Sequence, residues 1–242
     1  MTDWAPKRFW TQAVAVDRDT GFSVELDGRP VKTPYKQALI LPTRAMAEAM
    51  AAEWQAQTDL IDPTTMPVTR AANSAIDKVA AQHGDVVDLL AAYGENDLLC
   101  YRAAHPEELV AQQAAAWDPW LAWSAQALDA PLHVTTGVMP VDQPPASLAR
   151  LRARVAQFDN FALTGFYDLV QLSGSLVLAF AVAKGKLTAE NAWPISRIDE
   201  DFQISQWGDD EEAAEVAAIK RQAFIDGAAF IAMSRAATGG HE

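Results

Sequence analysis

The residues of this chain best placed to do chemistry are carboxylates near its end, in the run Ser196-Arg197-Ile198-Asp199-Glu200-Asp201-Phe202-Gln203-Ile204-Ser205-Gln206-Trp207-Gly208-Asp209-Asp210-Glu211-Glu212-Ala213. Between Asp199 and Glu215 there are eight carboxylates and no basic residue, and Ile198, Phe202, Ile204 and Trp207 are set among them. The chemistry such a run offers is recognition: apolar contacts ringed by negative charge, which suits a surface that meets another protein. A local role competes for part of it. Acids before a helix stabilise its positive end, and Asp209, Asp210, Glu211 and Glu212 stand where a long final helix begins. Asp199, Glu200 and Asp201 lie further upstream, where capping of that helix explains them less well.

Reactive constellations are not legible elsewhere. The chain has no Gly-x-Gly-x-x-Gly, no Gly-x-x-x-x-Gly-Lys-Ser/Thr and no Gly-x-Ser-x-Gly string. Ser173-Gly174-Ser175 sits inside an apolar stretch and reads as small-residue packing. His83, His105, His133 and His241 are widely separated, without the i, i+4 spacing that presents two metal ligands from one helix. Cys100, the single cysteine, lies between Leu99 and Tyr101 and reads as a buried small hydrophobe. No enzymatic activity, cofactor or metal is expected.

Half of the 242 residues are hydrophobic, enough for a substantial core, and the net charge is −13. That charge repels nucleic acid and anionic membranes and favours basic partners. The longest charge-free apolar stretch, Leu169 to Ala183, is fifteen residues, short of the roughly twenty that span a bilayer. It reads as a core helix bent at Gly174, so no stable membrane insertion is expected. One cysteine and an N-terminus without a secretory or transit pattern suggest a bacterial cytoplasmic protein, or a mitochondrial matrix protein if the chain has been trimmed.

These residues need elements to position them. Short β-type patterns at Phe9–Val16, Phe22–Leu26 and Leu39–Leu41 predict a small antiparallel sheet, with Asp27-Gly28 closing a tight hairpin onto Pro30-Val31-Lys32. Thr43 is placed to cap a helix whose Met46, Met50 and Trp54 share a face turned to that sheet. Two prolines between Asp59 and Pro67 mark a boundary, giving a β-rich N-terminal domain over 1–66 and a larger helical domain over 67–242, an α+β protein. The helical pattern continues with an Ala72, Ile76, Val79 stripe stopping at His83-Gly84 and a short helix over Val86–Leu90. It resumes over Glu107–Leu128, where Pro119 kinks the helix or restarts it on an Asp118 cap. Helices follow at Ser147–Phe158, Leu163–Ala183, Thr188–Trp193 and Glu211–Met233, the last turning Val216, Ile219, Ala223 and Phe230 inward.

Seven strings, taken in order, carry a resemblance over nearly the whole chain. They are Arg8-Phe9-Trp10, Leu26-Asp27-Gly28-Arg29-Pro30-Val31-Lys32-Thr33-Pro34, Glu53-Trp54, Met66-Pro67-Val68-Thr69-Arg70, Asp97-Leu98-Leu99-Cys100-Tyr101-Arg102, Trp117-Asp118-Pro119, and Asp199-Glu200-Asp201-Phe202-Gln203 with Trp207-Gly208. The chain thereby resembles the chaperone family that assembles the catalytic head of the F-type ATP synthase by holding its free α subunit. The resemblance implies a non-enzymatic protein that binds the unassembled α subunit, prevents its aggregation and yields it to the β subunit. It ties function to an acid in the Asp199-Glu200-Asp201 run, with Glu200 the best match. The partner-binding set expected on this basis is Glu200, Asp199, Asp201, Gln203, Trp207 and Asp209. The alternative is an enzyme or anionic-ligand-binding protein that uses an interdomain cleft, with Arg29, Lys32 and Arg70 meeting the anion.

Overall fold

A computed structural model describes residues 7–208 and 210–235. The fold is α+β, with a small antiparallel sheet at the start and helices for most of the rest. Strands β1 (Ala13–Arg18), β2 (Gly21–Leu26) and β3 (Arg29–Pro30) form a meander in the order β1-β2-β3. Asp27 and Gly28 both have positive φ, 46° and 77°, the backbone required by a two-residue turn between twisted strands. The Asp27 carboxylate turns back to accept from the Thr11 and Gln12 amides, which tie the chain entering β1 to the hairpin. The Leu39–Leu41 segment is not a strand; one bridge, Phe22 to Leu41, joins it to the sheet.

Helix α1 (Arg44–Ala56) begins where the sequence indicates, the Thr43 hydroxyl oxygen accepting from the Met46 amide. That hydroxyl donates in turn to the Met233 carbonyl, 190 positions along the chain. Met46 and Met50 are buried with Trp10, Val24, Leu26, Leu39 and Leu41, and Phe230 from the final helix joins the same core. Helix α2 (Pro67–Asp77) is fastened to α1 by Glu53, whose carboxylate accepts from the Val68 and Thr69 amides and the Thr69 hydroxyl. Asp77 accepts from the Thr33 hydroxyl and the Tyr35 amide, and α2 stops there rather than at His83. A 3-10 turn follows, and His83 opens α3 (His83–Ala91).

The chain falls into two compact units. The first holds the described residues up to His83, Asn160–Gly165, and the described residues from Ala229 on; the second holds Gly84–Asp159 and Phe166–Ala228. The division at 66/67 read from the prolines thus lies inside the first unit, because Met66 is buried and Glu53 binds α2 to α1.

In the second unit β4 (Tyr101–Arg102) pairs in parallel with β5 (Thr135–Thr136). Helix α4 (Glu107–Ala127) runs through Pro119 without interruption. Both Pro119 and Ala115 are exposed, so the carbonyl left without its usual donor can meet water. Asp118 does not restart a helix but pairs with Arg102 at 2.7 Å. After α5 (Pro145–Val155), the apolar stretch is two helices, α6 (Asn160–Ser173) and α7 (Leu176–Ala183), broken at Gly174 with φ 68°.

The break is held by Asp97, which is fully buried. Its carboxylate accepts from the Leu99 and Val177 amides and from the hydroxyl of Ser175, the residue that caps α7. Burial pushes the Asp97 carboxyl up to about 6 despite those donors. Burial, with Asp97 nearby, pushes the Cys100 thiol up to about 12, so it is an inert core group. Helices α8 (Ala189–Ser196), α9 (Ile198–Trp207) and α10 (Glu211–Ser234) complete the chain.

Candidate functional site

Most of the strings that carry the resemblance are scaffold. Arg8 donates to the carbonyls of Trp10, Thr11, Gln55 and Gln57, and its guanidinium lies over the Trp10 ring. Asp27, Thr33, Glu53 and Asp97 brace turns and helix starts as described. Trp117 is fully buried, its indole N–H donating to the Ile195 carbonyl, and Arg102 stacks on it. The acidic run is different: helix α9 has no buried residue.

The helix itself was not legible in the sequence. Asp199, Glu200 and Asp201 fill its first turn, where three negative charges favour the positive end of the dipole. They are therefore local helix acids as well as surface acids. Asp210 caps α10, accepting from the Glu212 and Ala213 amides, so part of the run does serve the final helix.

The six candidate residues separate by direction. Asp199 accepts a 2.6 Å hydrogen bond from Gln113 Nε2, a buried side chain of α4, and holds α9 against that helix. Glu200, Ile204 and Trp207 recur at i, i+4 and i+7 and share a helix face. Ile204 is 43% exposed and Trp207 81%. Glu200 pairs with Arg197 at 2.9 Å. Asp201 and Gln203 are exposed, and Asp209 lies outside the described residues.

Helix α10 adds what the sequence pattern misdirected. Val216 and Ile219, expected to face inward, are 45% and 64% exposed; the large buried apolar side chains of this helix, Phe224, Phe230 and Ile231, come later. The apolar period is real, but its first half has no core to meet. Val216 lines an open hollow of about 420 Å³ with Arg197, Asp210, Glu212, Ala213, Ala217 and Lys220. Exposed apolar side chains therefore stand beside carboxylates on both α9 and the start of α10.

The other candidates from the sequence have structural duties or none evident. Ser173 donates to the Leu169 carbonyl within α6. Arg29, Lys32 and Arg70 are all exposed, Arg29 and Lys32 on the segment after the β2–β3 turn and Arg70 on α2. Among the described residues no group of three or more His, Cys, Asp or Glu side chains is placed to hold a metal ion, and no helix is long and apolar enough to cross a membrane.

A firm scaffold thus holds exposed apolar side chains outward among carboxylates on α9 and the start of α10. Comparison with known proteins gives the class of the chain. A family model described as ATP12 chaperone protein matches residues 7–125. The crystal structure of Atp12 from Paracoccus denitrificans superposes with a TM-score of 0.92 at 50% identity, covering 95% of this chain and 98% of that one. A solved protein of Agrobacterium tumefaciens superposes with a TM-score of 0.88 at 39% identity, over 93% of this chain and 85% of its own. The mitochondrial atp12 protein of Schizosaccharomyces pombe is 22% identical over 222 residues, 87% of this chain and 76% of that protein. The chain belongs to the ATP12 chaperone family, the chaperones of ATP synthase assembly.

Proposed function

We propose that this chain binds the free α subunit of the F-type ATP synthase catalytic head through α9 and the start of α10, and shields it from aggregation until the β subunit takes it over. The observation that carries this reading is the outward apolar set Ile204, Trp207, Val216 and Ile219 among Glu200, Asp201, Asp210, Glu211 and Glu212. An unassembled subunit exposes an apolar interface that aggregates, and a partner that covers it lowers the free concentration of that patch. Carboxylates around the contact speed encounter and select basic partners more than they add affinity, which leaves release possible. No bond is made or broken in this role. Glu200 and Trp207 make the contact on the outer face of α9, with Asp201 and Gln203 at its edge. Asp199 holds the helix in place through Gln113.

The test is Glu200→Lys, assayed for suppression of α-subunit aggregation by light scattering and for melting by circular dichroism. Loss of the Arg197 pair and a positive charge in the first turn of α9 cost about 1 kcal/mol of stability. Capture should fall by far more than that, since attraction to basic groups becomes repulsion. A well-folded Glu200→Lys protein that protects the α subunit as the parent does would remove this surface from the function.

A further inference from the structure

Glu200 is not an unoccupied acid. Arg197 Nη1 stands 2.9 Å from its Oε1, and the same guanidinium lies over the indole of Trp193, 5.4 Å from the ring centroid. A carboxylate beside an aromatic face is how a protein holds an arginine, because the planar cation stacks and donates at once. Arg197 also lines the hollow at the start of α10, in company with the carboxylates of Asp210 and Glu212. It therefore has a second set of acids within the same local surface.

The geometry points to Arg197 as an internal stand-in: it fills an arginine subsite made by Glu200 and the face of Trp193, and gives it up to an arginine carried on an apolar segment of the partner. The displaced Arg197 turns to the Asp210 and Glu212 side of the hollow. This rests on the α-subunit reading above and assigns the kind of group that the subsite takes. The exchange conserves charge in both directions. Glu200 is never left facing apolar surface without a cation, whether the partner is arriving or leaving. A grip of this kind is reversible, because each partner contact replaces an existing one and gains only the difference. Arginine is favoured over lysine, whose compact ammonium cannot stack its plane on the indole.

Competition by Arg197 predicts an uncommon result, a substitution in the binding surface that strengthens binding. Arg197→Gln keeps a polar, planar side-chain end on a shorter stem and removes the charge. Binding of isolated α subunit to the full chain is measured by titration for the parent, Arg197→Gln, Glu200→Gln and the double variant, each checked for melting. Arg197→Gln should tighten binding about two- to fivefold, the worth of an exposed ion pair no longer in competition. Glu200→Gln should weaken it about fivefold or more, and in that background Arg197→Gln should bring no gain. If Arg197→Gln melts early, Arg197→Lys takes its place, with a smaller gain in the same direction. Unchanged or weaker binding by a folded Arg197 variant, with Glu200→Gln still impaired, overturns the stand-in and leaves the acidic surface intact. No effect of Glu200→Gln overturns the surface reading and the stand-in together.

Discussion

Trp207→Ala should separate binding from folding more cleanly than any other single change. The indole is 81% exposed at the end of α9, where Gly208, with φ 89°, terminates the helix. A tryptophan side chain presents about 200 Å², so about 160 Å² remains to be covered by a partner. At about 25 cal/mol per Å² that area sets an upper bound near 4 kcal/mol. Association delivers part of such a sum, and truncating a tryptophan anchor commonly costs about 2 kcal/mol or more, which is about thirtyfold in affinity. The folded chain loses almost no contact. Alanine is the better helix former by a few tenths of a kcal/mol, so melting should stay within about 2 °C of the parent. The assay is titration of α subunit followed by calorimetry, a signal that does not depend on the indole the variant lacks. Binding within threefold of the parent would refute the argument. So would a large fall in melting temperature, which would mean that the ring packs against its own chain.

Asp97→Asn tests the buried carboxyl. Its folded pKa of about 6 lies above the ordinary 3.8, so the folded state holds the proton more tightly and stability falls as pH rises through that window. The shift corresponds to about 3 kcal/mol. The parent's stability relative to Asp97→Asn should decline by about that amount between pH 4 and 7 in urea titrations, and a constant difference would show that Asp97 ionises normally. Gly28→Val should cost about 2 kcal/mol and loosen the sheet, because a β-branched residue resists φ 77°, even though a Cβ there meets nothing within 4 Å. Gly28→Asn should cost less than half as much, and equal melting of the two would refute the turn argument.

What could be read from the sequence was local chemistry. Asp27-Gly28 and Thr43 announce a turn and a cap through properties of single residues, and the structure places both where those properties require. Period alone was weaker. Val216 and Ile219 do share a face with later core residues, yet a repeat of 3.6 says which side chains align and not what they align against. Helix α9 is hidden for a related reason: with no buried residue, its apolar groups fall on two sides, Ile198 with Phe202 and Ile204 with Trp207, and do not gather into a single core stripe. The division of the chain was hidden in long-range contacts, since Glu53 binding the start of α2 leaves no trace in the spacing of prolines. Arg197 could have been found from its position three residues before Glu200, a spacing that brings opposite charges together on a helix.

The hydroxyl of Thr43 donating to the carbonyl of Met233 has a consequence in time. Bacterial and organellar ribosomes add about 5–20 residues per second, so roughly ten to forty seconds separate the synthesis of the two partners. Throughout that interval the sheet and α1 exist without Phe161 at first, and without Phe230 until almost the last, although both rings belong to their core. From the synthesis of α1 to that of the final helix, the N-terminal unit thus carries an open seam in its own core, an apolar face that must wait for its covering rings.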